Sequence, residues 1–423
     1  MQMSRPETIV IIGAGVAGVT AAGTLRDAGF DGRVLLVGEE RPLPYDRPPL
    51  SKAVLVHDEF ESLVAEHLPG DIALRAPANI GLRPDGWYES QRIELLCGRR
   101  VTAIRPDTQE IELDDASTIS WDKLILAPGA RARRLPAVET GLVPHAYLRT
   151  LADAIELRRR LRPGSRVVLL GGGVIGMEVA ASAVLRDCDV TVAELAPRIM
   201  SRGLPAAISG FLAAYHQARG VKLRLGVRVL GQAPESPALA LEDGSRLPAD
   251  IIVIGIGVVP NVELASAAGI ACADGIHVDE FGATSAAGIF AAGDAVCYPD
   301  SFLARTMRSE NWMHAQNQAA AVARNVLGAN EPYRQTPYMW SDQYDLKIQT
   351  TGRFDTETYV TRGDPARNKF MFLHLDGGRV VGAAGINEPR DLKFAQRLIE
   401  SGNVVEPARL VDPAFSLKTA AAA

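Results

Sequence analysis

Two glycine-rich turns, GAGVAG at residues 13–18 and GGGVIG at residues 171–176, hold the residue types and spacing that most clearly predict chemistry. In a G-x-G-x-x-G pattern the first glycine permits a tight turn, the second lets the backbone approach a pyrophosphate, and the third allows a helix to pack closely on a strand. The helix that follows directs unpaired N–H groups and a partial positive charge at the phosphates. Two dinucleotide sites are therefore predicted in one chain.

Each turn is followed by a carboxylate at the end of the next predicted strand. Glu39 lies 21 residues beyond Gly18, and Glu194 lies 18 residues beyond Gly176. A carboxylate at this position accepts hydrogen bonds from both ribose hydroxyls and repels the 2′-phosphate of NADP. The second site therefore favours NADH, although nearby arginines, Arg198 and Arg202, keep NADPH open as an alternative.

Two such sites have a simple chemical interpretation, in which one holds a flavin and the other brings a nicotinamide to it. The N-terminal turn is assigned to FAD, and the second turn then binds NADH. Hydride transfer needs the two rings about 3 to 3.5 Å apart, so two domains are expected to face each other across a cleft. The FAD residues predicted here are Gly13, Gly15, Val16, Ala17, Gly18 and Glu39. Those predicted for NADH are Gly171, Gly173, Val174, Ile175, Gly176, Glu194, Arg202 and Gly257.

The elements that must position these turns form two copies of a βαβ unit. An apolar run at 9–12, a small-residue helix at 16–28 and a second run at 34–37 make the first copy. The second copy has strands at 167–170 and 190–193, with a helix to about Arg186 between them. The stretch 94–130 is predicted to be a β-meander that closes the first domain, and the run 288–294 to be its last strand.

The predicted fold class is α/β, with two Rossmann-like dinucleotide-binding domains and a C-terminal α+β domain. The predicted bounds are 1–130 and 251–328 for the discontinuous FAD domain, 131–250 for the NAD domain and 329–423 for the last domain. Its elements include a linker at 329–340, a hairpin turn at Asp376-Gly377-Gly378 and a helix at 390–399. A long helix at 310–327 precedes it, and the final TAAAA is expected to fray.

Composition excludes several function classes. Of 423 residues, 47% are hydrophobic and 22% are charged, and the net charge of −5 excludes a globally basic nucleic-acid binder. No apolar run approaches the roughly 18 residues of a membrane span, and a signal peptide is not evident, so a cytoplasmic protein without membrane association is expected. The four cysteines form no Cys-x-x-Cys pair, which argues against a redox dithiol or a metal site.

Four motifs resemble one family, the FAD-dependent ferredoxin reductases of oxygenase systems: PYDRPPLSKAVL, GGGVIGMEVA, IFAAGDAV and SENWMHAQNQAAAVARNV. A fifth motif, MWSDQYDLKIQTTG, extends the resemblance to about residues 7–415. It implies that NADH reduces FAD and that FAD passes single electrons to a [2Fe–2S] ferredoxin. That ferredoxin would feed a cytochrome P450 or a Rieske oxygenase. Flavin suits this exchange because it accepts an electron pair and donates one electron at a time.

The resemblance also implies a catalytic pair. Lys52 should lie near the flavin, where a cation stabilises negative charge on the reduced ring. Glu178 should meet Lys52 and orient the nicotinamide amide. The alternatives are a solvated lysine after a proline turn and a carboxylate that only favours the first turn of its helix.

Further FAD contacts are implied only by the resemblance. They are Arg47 in a loop, Val101 packed on the adenine, Ala127 and Gly129 at a strand end, Arg149 as a basic contact, Asp294 in a fingerprint followed by a helix, and Glu310, Trp312 and Trp340 beside the rings. Arg149 could instead be a surface cation before a Thr150 helix cap, Asp294 a turn residue, and each tryptophan a core residue. The chain has Pro128 where the family commonly has threonine.

Rival functions remain open at this stage. They are an NADH oxidase, a rubredoxin reductase and a redox-sensing flavoprotein like the apoptosis-inducing flavoproteins. The missing dithiol disfavours glutathione-reductase-like enzymes, and Cys97 is predicted in the meander, away from the position of a peroxidase cysteine. An acidic ferredoxin would dock on a basic rim with Arg305 and Arg308. The arginine runs 131–134 and 158–162 are weaker candidates, since such runs are usually solvated.

Overall fold

The computed structural model describes residues 7–66 and 78–422, which form two compact units. The described part of the first unit comprises residues 7–47, 78–131 and 258–335, and that of the second comprises 48–66, 132–257 and 336–422. Within these ranges no helix is both long and apolar enough to cross a membrane.

A five-stranded parallel sheet organises the first unit. Its central strand, Thr8–Ile12, is buried along its whole length, as expected for an apolar strand covered on both faces of a parallel sheet. The helix Val16–Asp27 and the helix Trp312–Val326 pack on the same hydrophobic core. The strands, in spatial order, are Ile289–Ala291, Lys123–Leu126, Thr8–Ile12, Arg33–Gly38 and Ile93–Cys97.

Smaller sheets complete the first unit. An antiparallel meander is formed by Val101–Arg105, Glu110–Leu113 and Thr118–Ser120. A four-stranded sheet contains Cys272–Ala273, Gly275–His277, Val296–Asp300 and Arg305–Arg308. The remaining elements are Ala78–Ile80, Trp87–Ser90, Glu263–Ala267 and the short paired strands Ala130–Ala132 and Val258–Pro260, at whose ends the chain passes between units.

The second unit repeats the arrangement. Its parallel sheet has the order Lys222–Leu225, Asp189–Glu194, Arg166–Leu170, Ile251–Ile254 and His145–Ala146. Its helices are Ala53–Val56, Glu61–Glu66, Leu151–Arg160, Val174–Leu185 and Ala206–Gln217, and its short 3-10 turns are Pro48–Ser51, Asp58–Phe60 and Pro136–Val138. A small antiparallel sheet contains Val229–Gln232, Ala238–Leu241 and Arg246–Pro248.

The C-terminal part of the second unit is an antiparallel sheet with helices. The strands, in spatial order, are Tyr338–Gln343, Leu346–Gly352, Arg379–Ile386, Lys369–Asp376 and Tyr359–Asp364. The helices are Pro389–Ser401, Pro407–Val411 and Leu417–Ala422, with a 3-10 turn at Pro365–Arg367. Gly377 and Gly378 have φ of +55° and +77°, as a two-residue hairpin of this type requires, so the predicted hairpin is confirmed.

The α/β class with two Rossmann-like repeats is confirmed, but four local predictions were wrong. Ile93–Cys97 and Lys123–Leu126, both predicted in the meander, are strands of the parallel sheet, where they pair with Arg33–Gly38 and Thr8–Ile12. The helix predicted from 310 begins at Trp312, because the Asn311 side chain accepts from the N–H of Met313 at 2.8 Å and caps it. The predicted linker 329–340 already contains the start of the strand Tyr338–Gln343.

The fourth error concerns the alanine-rich C-terminus. Leu417–Ala422 is a helix instead of a frayed tail. Leu417 and Ala420 are buried on one face, against the helix Pro389–Ser401, and Asn403 Nδ2 donates to the Ala420 carbonyl at 3.0 Å. Packing of one apolar face therefore orders this segment.

The predicted domain bounds compare with the units as follows. Ile251–Ile254 pairs with Arg166–Leu170 in the second unit, whereas the prediction began the return to the FAD domain at residue 251. The chain returns to the first unit at Val258. The segment 48–66 and the C-terminal sheet both belong to the second unit. The three-domain division otherwise stays a prediction.

Candidate functional site

The first glycine turn has the geometry of a pyrophosphate cradle. Gly13 has φ of +105°, and a Cβ there would lie 2.0 Å from the Ala127 carbonyl oxygen. A Cβ on Gly18 would lie 1.8 Å from the Gly13 oxygen. Gly15, in contrast, faces open space, with nothing within 4 Å of an added Cβ. It caps the helix Val16–Asp27 without any side-chain hydrogen bond, so the first N–H groups of this helix are left for a ligand.

Two adjacent glutamates follow the next strand, and they do different things. Glu39 is exposed at the strand end, where the ribose is predicted. Glu40 accepts from Arg47 Nη2 at 2.6 Å and from the Tyr45 hydroxyl at 2.5 Å. Burial lowers the pKa of Arg47, but the negative charges of Glu40 and Asp294 outweigh burial and raise it. Arg47 is therefore held as a cation by Glu40. The pairing of Glu40 with Arg47 was not predicted, because sequence spacing does not show which of the adjacent residues Glu39 and Glu40 faces the arginine.

The acidic and aromatic residues predicted beside the flavin have partners in the first unit. Trp312 Nε1 donates to Asp46 Oδ1 at 2.6 Å. Glu310 Oε1 lies 2.7 Å from Arg308 Nη1, and Arg308, 9% exposed, also pairs with Asp274 at 3.4 Å. These two ion pairs make Arg308 a weaker docking candidate than the exposed Arg305, and its docking role stays a prediction.

The strand ends predicted to pass the FAD are also in the first unit. Val101 is 9% exposed and packs in the apolar core, and Ala127 is buried after its strand. Gly129 has φ of +65°, and the turn is held by Asn261, whose Nδ2 donates to the Pro128 carbonyl at 2.9 Å. Asp294 is followed by the strand Val296–Asp300, not by the helix that the family fingerprint implied.

The second glycine turn repeats the cradle. Gly171 has φ of +101°, and its added Cβ would lie 2.4 Å from the Gly255 oxygen, while that of Gly176 would lie 2.0 Å from the Gly171 oxygen. Gly173 faces open space and caps the helix Val174–Leu185 without a side-chain bond. The next residues present a partly exposed Val174 and an Ile175 that is 44% exposed. Both turns thus fit a dinucleotide pyrophosphate.

Glu194 is held rigidly beside this turn. Its Oε2 accepts from the Gly172 N–H at 2.5 Å and its Oε1 accepts from the Ala196 N–H at 2.6 Å. Arg198 donates to the Leu204 and Ser201 carbonyls at 2.7 and 3.0 Å, so two of its nitrogen atoms are already engaged. Arg202 lies near Gly257, whose added Cβ would be 3.5 Å from Arg202 Nη2.

This geometry predicts that Glu194→Gln lowers the preference for NADH over NADPH by about tenfold. The change removes the negative charge that opposes a 2′-phosphate, and an unfavourable pair of like charges near a protein surface costs about 1 to 4 kcal/mol at 4 Å. The measurement is kcat/KM for both nucleotides. Glu39→Gln serves as the control, because its strand end belongs to the other glycine turn. An unchanged ratio would show that Glu194 does not face the ribose.

The predicted Lys52–Glu178 pair is present in the second unit. Lys52 Nζ lies 3.0 Å from Glu178 Oε2, and Glu178 is only 3% exposed. Two hydroxyls also donate to this carboxylate, Ser51 to Oε2 and Ser341 to Oε1, the latter at 2.7 Å. Three donors, one ammonium and two hydroxyls, therefore satisfy this buried carboxylate. Neither serine was predicted as part of the site, although both lie in motifs of the family resemblance, because a motif does not show which of its side chains meet in the fold.

The segment 51–56, which contains Lys52 and the short helix Ala53–Val56, is held in place by hydrogen bonds to its carbonyl groups. Ser182 Oγ donates to the Ser51 oxygen at 2.7 Å, Arg158 Nη1 to the Val54 oxygen at 2.9 Å, and Arg186 Nη1 to the Leu55 oxygen at 3.2 Å. Arg158 is 1% exposed and also pairs with Glu61. The expectation that the run 158–162 is solvated was therefore wrong for its first residue, which anchors the Lys52 segment.

Two further predicted residues lie in the second unit. Arg149 directly precedes the helix Leu151–Arg160, and its backbone N–H donates to Asp153 at 3.0 Å. Thr150 caps that helix in a capping box, as one alternative expected. Trp340 is half-buried on the strand Tyr338–Gln343, with its ring centroid 6.3 Å from that of Tyr338. Their contact with FAD stays a prediction.

The thiols are poorly suited to redox catalysis. Burial raises the pKa of Cys97 to about 11 and that of Cys188 to about 11, and it also raises the pKa of Cys272 and Cys297. A thiol with a raised pKa is a weak nucleophile at neutral pH. All four cysteines are free, so the described residues offer no disulfide for hydride-driven reduction.

Comparison with known proteins settles the family. Residues 7–319 match the family described as pyridine nucleotide-disulphide oxidoreductase, and residues 338–421 match the one described as reductase C-terminal. The chain belongs to the pyridine nucleotide-disulphide oxidoreductase family. Reductases of this family use FAD and NADH, which confirms the predicted cofactors.

Individual relatives match along the whole chain. The anthranilate 1,2-dioxygenase system ferredoxin–NAD(+) reductase component of Burkholderia cepacia is 42% identical over 98% of this chain and 99% of its own. Putidaredoxin reductase of Pseudomonas putida is 36% identical, covering 100% of this chain and 98% of its own. Among solved structures, the ferredoxin reductase for the CYP199A2 system of Rhodopseudomonas palustris has a TM-score of 0.89 at 36% identity, covering 98% and 100% of the two chains.

Proposed function

We propose that this protein is an NADH-dependent ferredoxin reductase. Electrons would pass from NADH through FAD to a [2Fe–2S] ferredoxin that serves a cytochrome P450 or a Rieske oxygenase. The observation that carries the proposal is the buried Glu178, paired with Lys52 and placed on the helix that begins at the second glycine turn. Two relatives are named as ferredoxin–NAD(+) reductase components of dioxygenase systems, and one solved structure is the ferredoxin reductase for the CYP199A2 system. A further solved structure is a covalent putidaredoxin reductase–putidaredoxin complex.

Each part of the chain has a role in this proposal. The first glycine turn, Glu39 and Arg47 would hold FAD, and the second turn with Glu194 would hold NADH. Bound FAD supplies the exchange of a hydride for single electrons. Glu178 would accept hydrogen bonds from the nicotinamide amide and so orient it, while the Lys52 ammonium would offset negative charge. The rigid anchoring of the Lys52 helix keeps this charge in place without reorganisation.

The described thiols support a ferredoxin over a disulfide as the electron acceptor. All four have raised pKa values and none is bonded to another. An NADH oxidase would need no ferredoxin at all, so it is separated by experiment. Rapid anaerobic bleaching of the flavin by NADH, followed by turnover only when a [2Fe–2S] ferredoxin is added, is expected. Fast oxygen consumption without ferredoxin would instead show an oxidase.

We also propose the cytoplasm, where NADH is supplied, as the location.

We predict that reduction of the ferredoxin slows as salt rises, by about tenfold when the ionic strength goes from roughly 0.05 to 0.5 M. Ferredoxins of this kind are acidic, and exposed charges are screened over about 10 Å at 0.1 M salt. Arg305 is the exposed cation of the predicted rim, so Arg305→Glu should lower the rate and flatten its salt dependence.

The matched control is Arg367→Glu, an exposed arginine in the 3-10 turn Pro365–Arg367 of the second unit. Reduction of ferricyanide by the same enzyme should be insensitive to either substitution, since this small acceptor needs no docking surface. A ferredoxin rate independent of salt, or an equal effect of both substitutions, would remove Arg305 from the docking surface.

A further inference from the structure

A line of buried polar side chains leads away from Glu178 through the second unit. Ser341 donates to Glu178 Oε1 at 2.7 Å, and Gln343 Nε2 donates to Ser341 Oγ at 3.0 Å. Gln343 Oε1 then lies 2.8 Å from His216 Nε2, and His216 Nδ1 lies 3.2 Å from the Tyr344 hydroxyl. Ser341, Gln343 and His216 are 0%, 1% and 0% exposed, so water cannot substitute for these bonds.

The direction of every hydrogen bond in this line follows from the carboxylate. The Glu178 carboxylate, which pairs with Lys52, accepts from Ser341, so the Ser341 hydroxyl in turn accepts from the amide nitrogen of Gln343. The amide oxygen of Gln343 then faces His216, whose Nε2 must carry the proton. That tautomer leaves Nδ1 as an acceptor for Tyr344. One charge state at Glu178 therefore determines one amide orientation and one histidine tautomer.

Burial keeps this arrangement in a single protonation state. The pKa of His216 is lowered to about 4, chiefly by burial; the hydrogen bond to Gln343 raises it by a smaller amount and the nearby cation of Arg219 lowers it. Burial also raises the pKa of Tyr344. Neither ring therefore ionises near neutral pH. A half-satisfied buried network is costly, so a satisfied one holds its members in place.

We propose that Gln343 and His216 are positioning residues for Glu178. They act through Ser341, fixing Oε1 toward the network so that Oε2 faces Lys52 and Ser51. This inference rests on the proposed function, because it assigns Glu178 to orienting the nicotinamide. Gln343 lies in the motif MWSDQYDLKIQTTG but was not predicted as a site residue, and His216 lies outside the family motifs, on the helix Ala206–Gln217, 38 positions from Glu178 in the sequence.

The test uses the FAD-loaded, full-length enzyme. Gln343→Met keeps the side-chain length and removes both hydrogen bonds, and His216→Phe keeps the ring and removes the Nε2 donor. Each should lower the limiting rate constant of flavin reduction by NADH by up to about tenfold, the upper end of the effect of losing one hydrogen bond between neutral groups. The Kd of NADH should change less than about twofold, since the bonds are not made to the nucleotide. Stopped-flow traces over a range of NADH concentrations give both values.

Three comparisons separate positioning from general destabilisation. His216→Gln retains a terminal N–H donor and should recover most of the rate. The double variant should be no slower than the slower single variant, because both act on one path. Ser209→Ala is the matched control: Ser209 is 1% exposed on the same helix as His216, and its Oγ donates to the Ile199 carbonyl at 2.6 Å. It should leave the rate unchanged.

The outcomes distinguish this inference from the proposed function. If NADH does not bleach the wild-type flavin, the proposed function fails. If the wild type is reduced but Gln343→Met and His216→Phe reduce as fast as Ser209→Ala, only the positioning inference fails. If Gln343→Met melts at a lower temperature than the control, His216→Phe and His216→Gln decide, because equal rates in that pair would overturn the inference as well.

Discussion

Replacing Lys52 with methionine is expected to lower the rate constant of flavin reduction by NADH about 100- to 1000-fold, the typical loss when one preorganised charge or donor is removed. Methionine preserves the length and much of the stem, but it removes the ammonium 3.0 Å from Glu178 Oε2. The buried carboxylate then loses its only close cation among the described residues. Charge that develops during hydride transfer also loses its compensation. Anaerobic stopped-flow absorbance at saturating NADH measures the effect.

The size of this effect depends on position, which two further variants test. Lys52→Arg keeps a positive charge and should recover a large part of the rate, although the guanidinium cannot reproduce the geometry of one ammonium. Lys222→Met removes an exposed lysine that pairs with Asp189 at 2.7 Å and should leave the rate unchanged. A Lys52→Met enzyme that reduces at the wild-type rate would exclude Lys52 from the chemistry.

Much of the fold could be predicted from local sequence, because the βαβ units are made of short-range patterns. The apolar runs around Gly13 and Gly171 are strands buried on both faces, and each glycine turn fixes where its helix begins. Positive φ at Gly377 and Gly378 likewise follows from the turn that a two-residue hairpin requires. Such features depend on residues within a few positions of one another.

Partner choice could not be predicted in the same way. Ile93–Cys97 is a short strand followed by a turn, as in a meander, and only the availability of an edge beside Arg33–Gly38 places it in the parallel sheet. Leu417 and Ala420 share a helix face by spacing, but an isolated six-residue helix would be unstable. The surface of the helix Pro389–Ser401 stabilises it. Both errors arise from contacts between segments that are distant in sequence.

The candidate site likewise contains residues that could be predicted from local sequence and residues that could not. Lys52 and Glu178 could be inferred because they lie in recognisable motifs. Their supports could not, because Ser51 and Ser341 were not distinguished from the other polar residues of their motifs and His216 lies outside the motifs. The two serines are 290 positions apart (341 minus 51) and meet only in the folded unit. Arg158 shows the converse, because a run of arginines suggests a solvated face while one member is fully buried.

Gly15→Ala is expected to weaken FAD binding about 100-fold while leaving the apoprotein folded. Gly15 has φ of −80° and ψ of −171°, which alanine readily adopts, and an added Cβ meets nothing within 4 Å. The loss of glycine at a helix cap should lower the free energy of unfolding by only about 1 kcal/mol. The open space is where the pyrophosphate is proposed, so a methyl group there would displace the ligand. Fluorescence titration of apoprotein with FAD measures the affinity.

Gly13→Ala and Gly173→Ala are the controls that test whether the effect of Gly15→Ala is specific to FAD binding. Gly13→Ala places a methyl group 2.0 Å from the Ala127 oxygen in a left-handed conformation, so the protein itself should be destabilised, and FAD loss would follow from unfolding. Gly173→Ala has the same open surroundings as Gly15→Ala, but in the second turn. It should weaken NADH binding and leave FAD content unchanged. If Gly15→Ala bound FAD as tightly as the wild type, the phosphates would have to lie elsewhere, and the assignment of the first turn to FAD would be wrong.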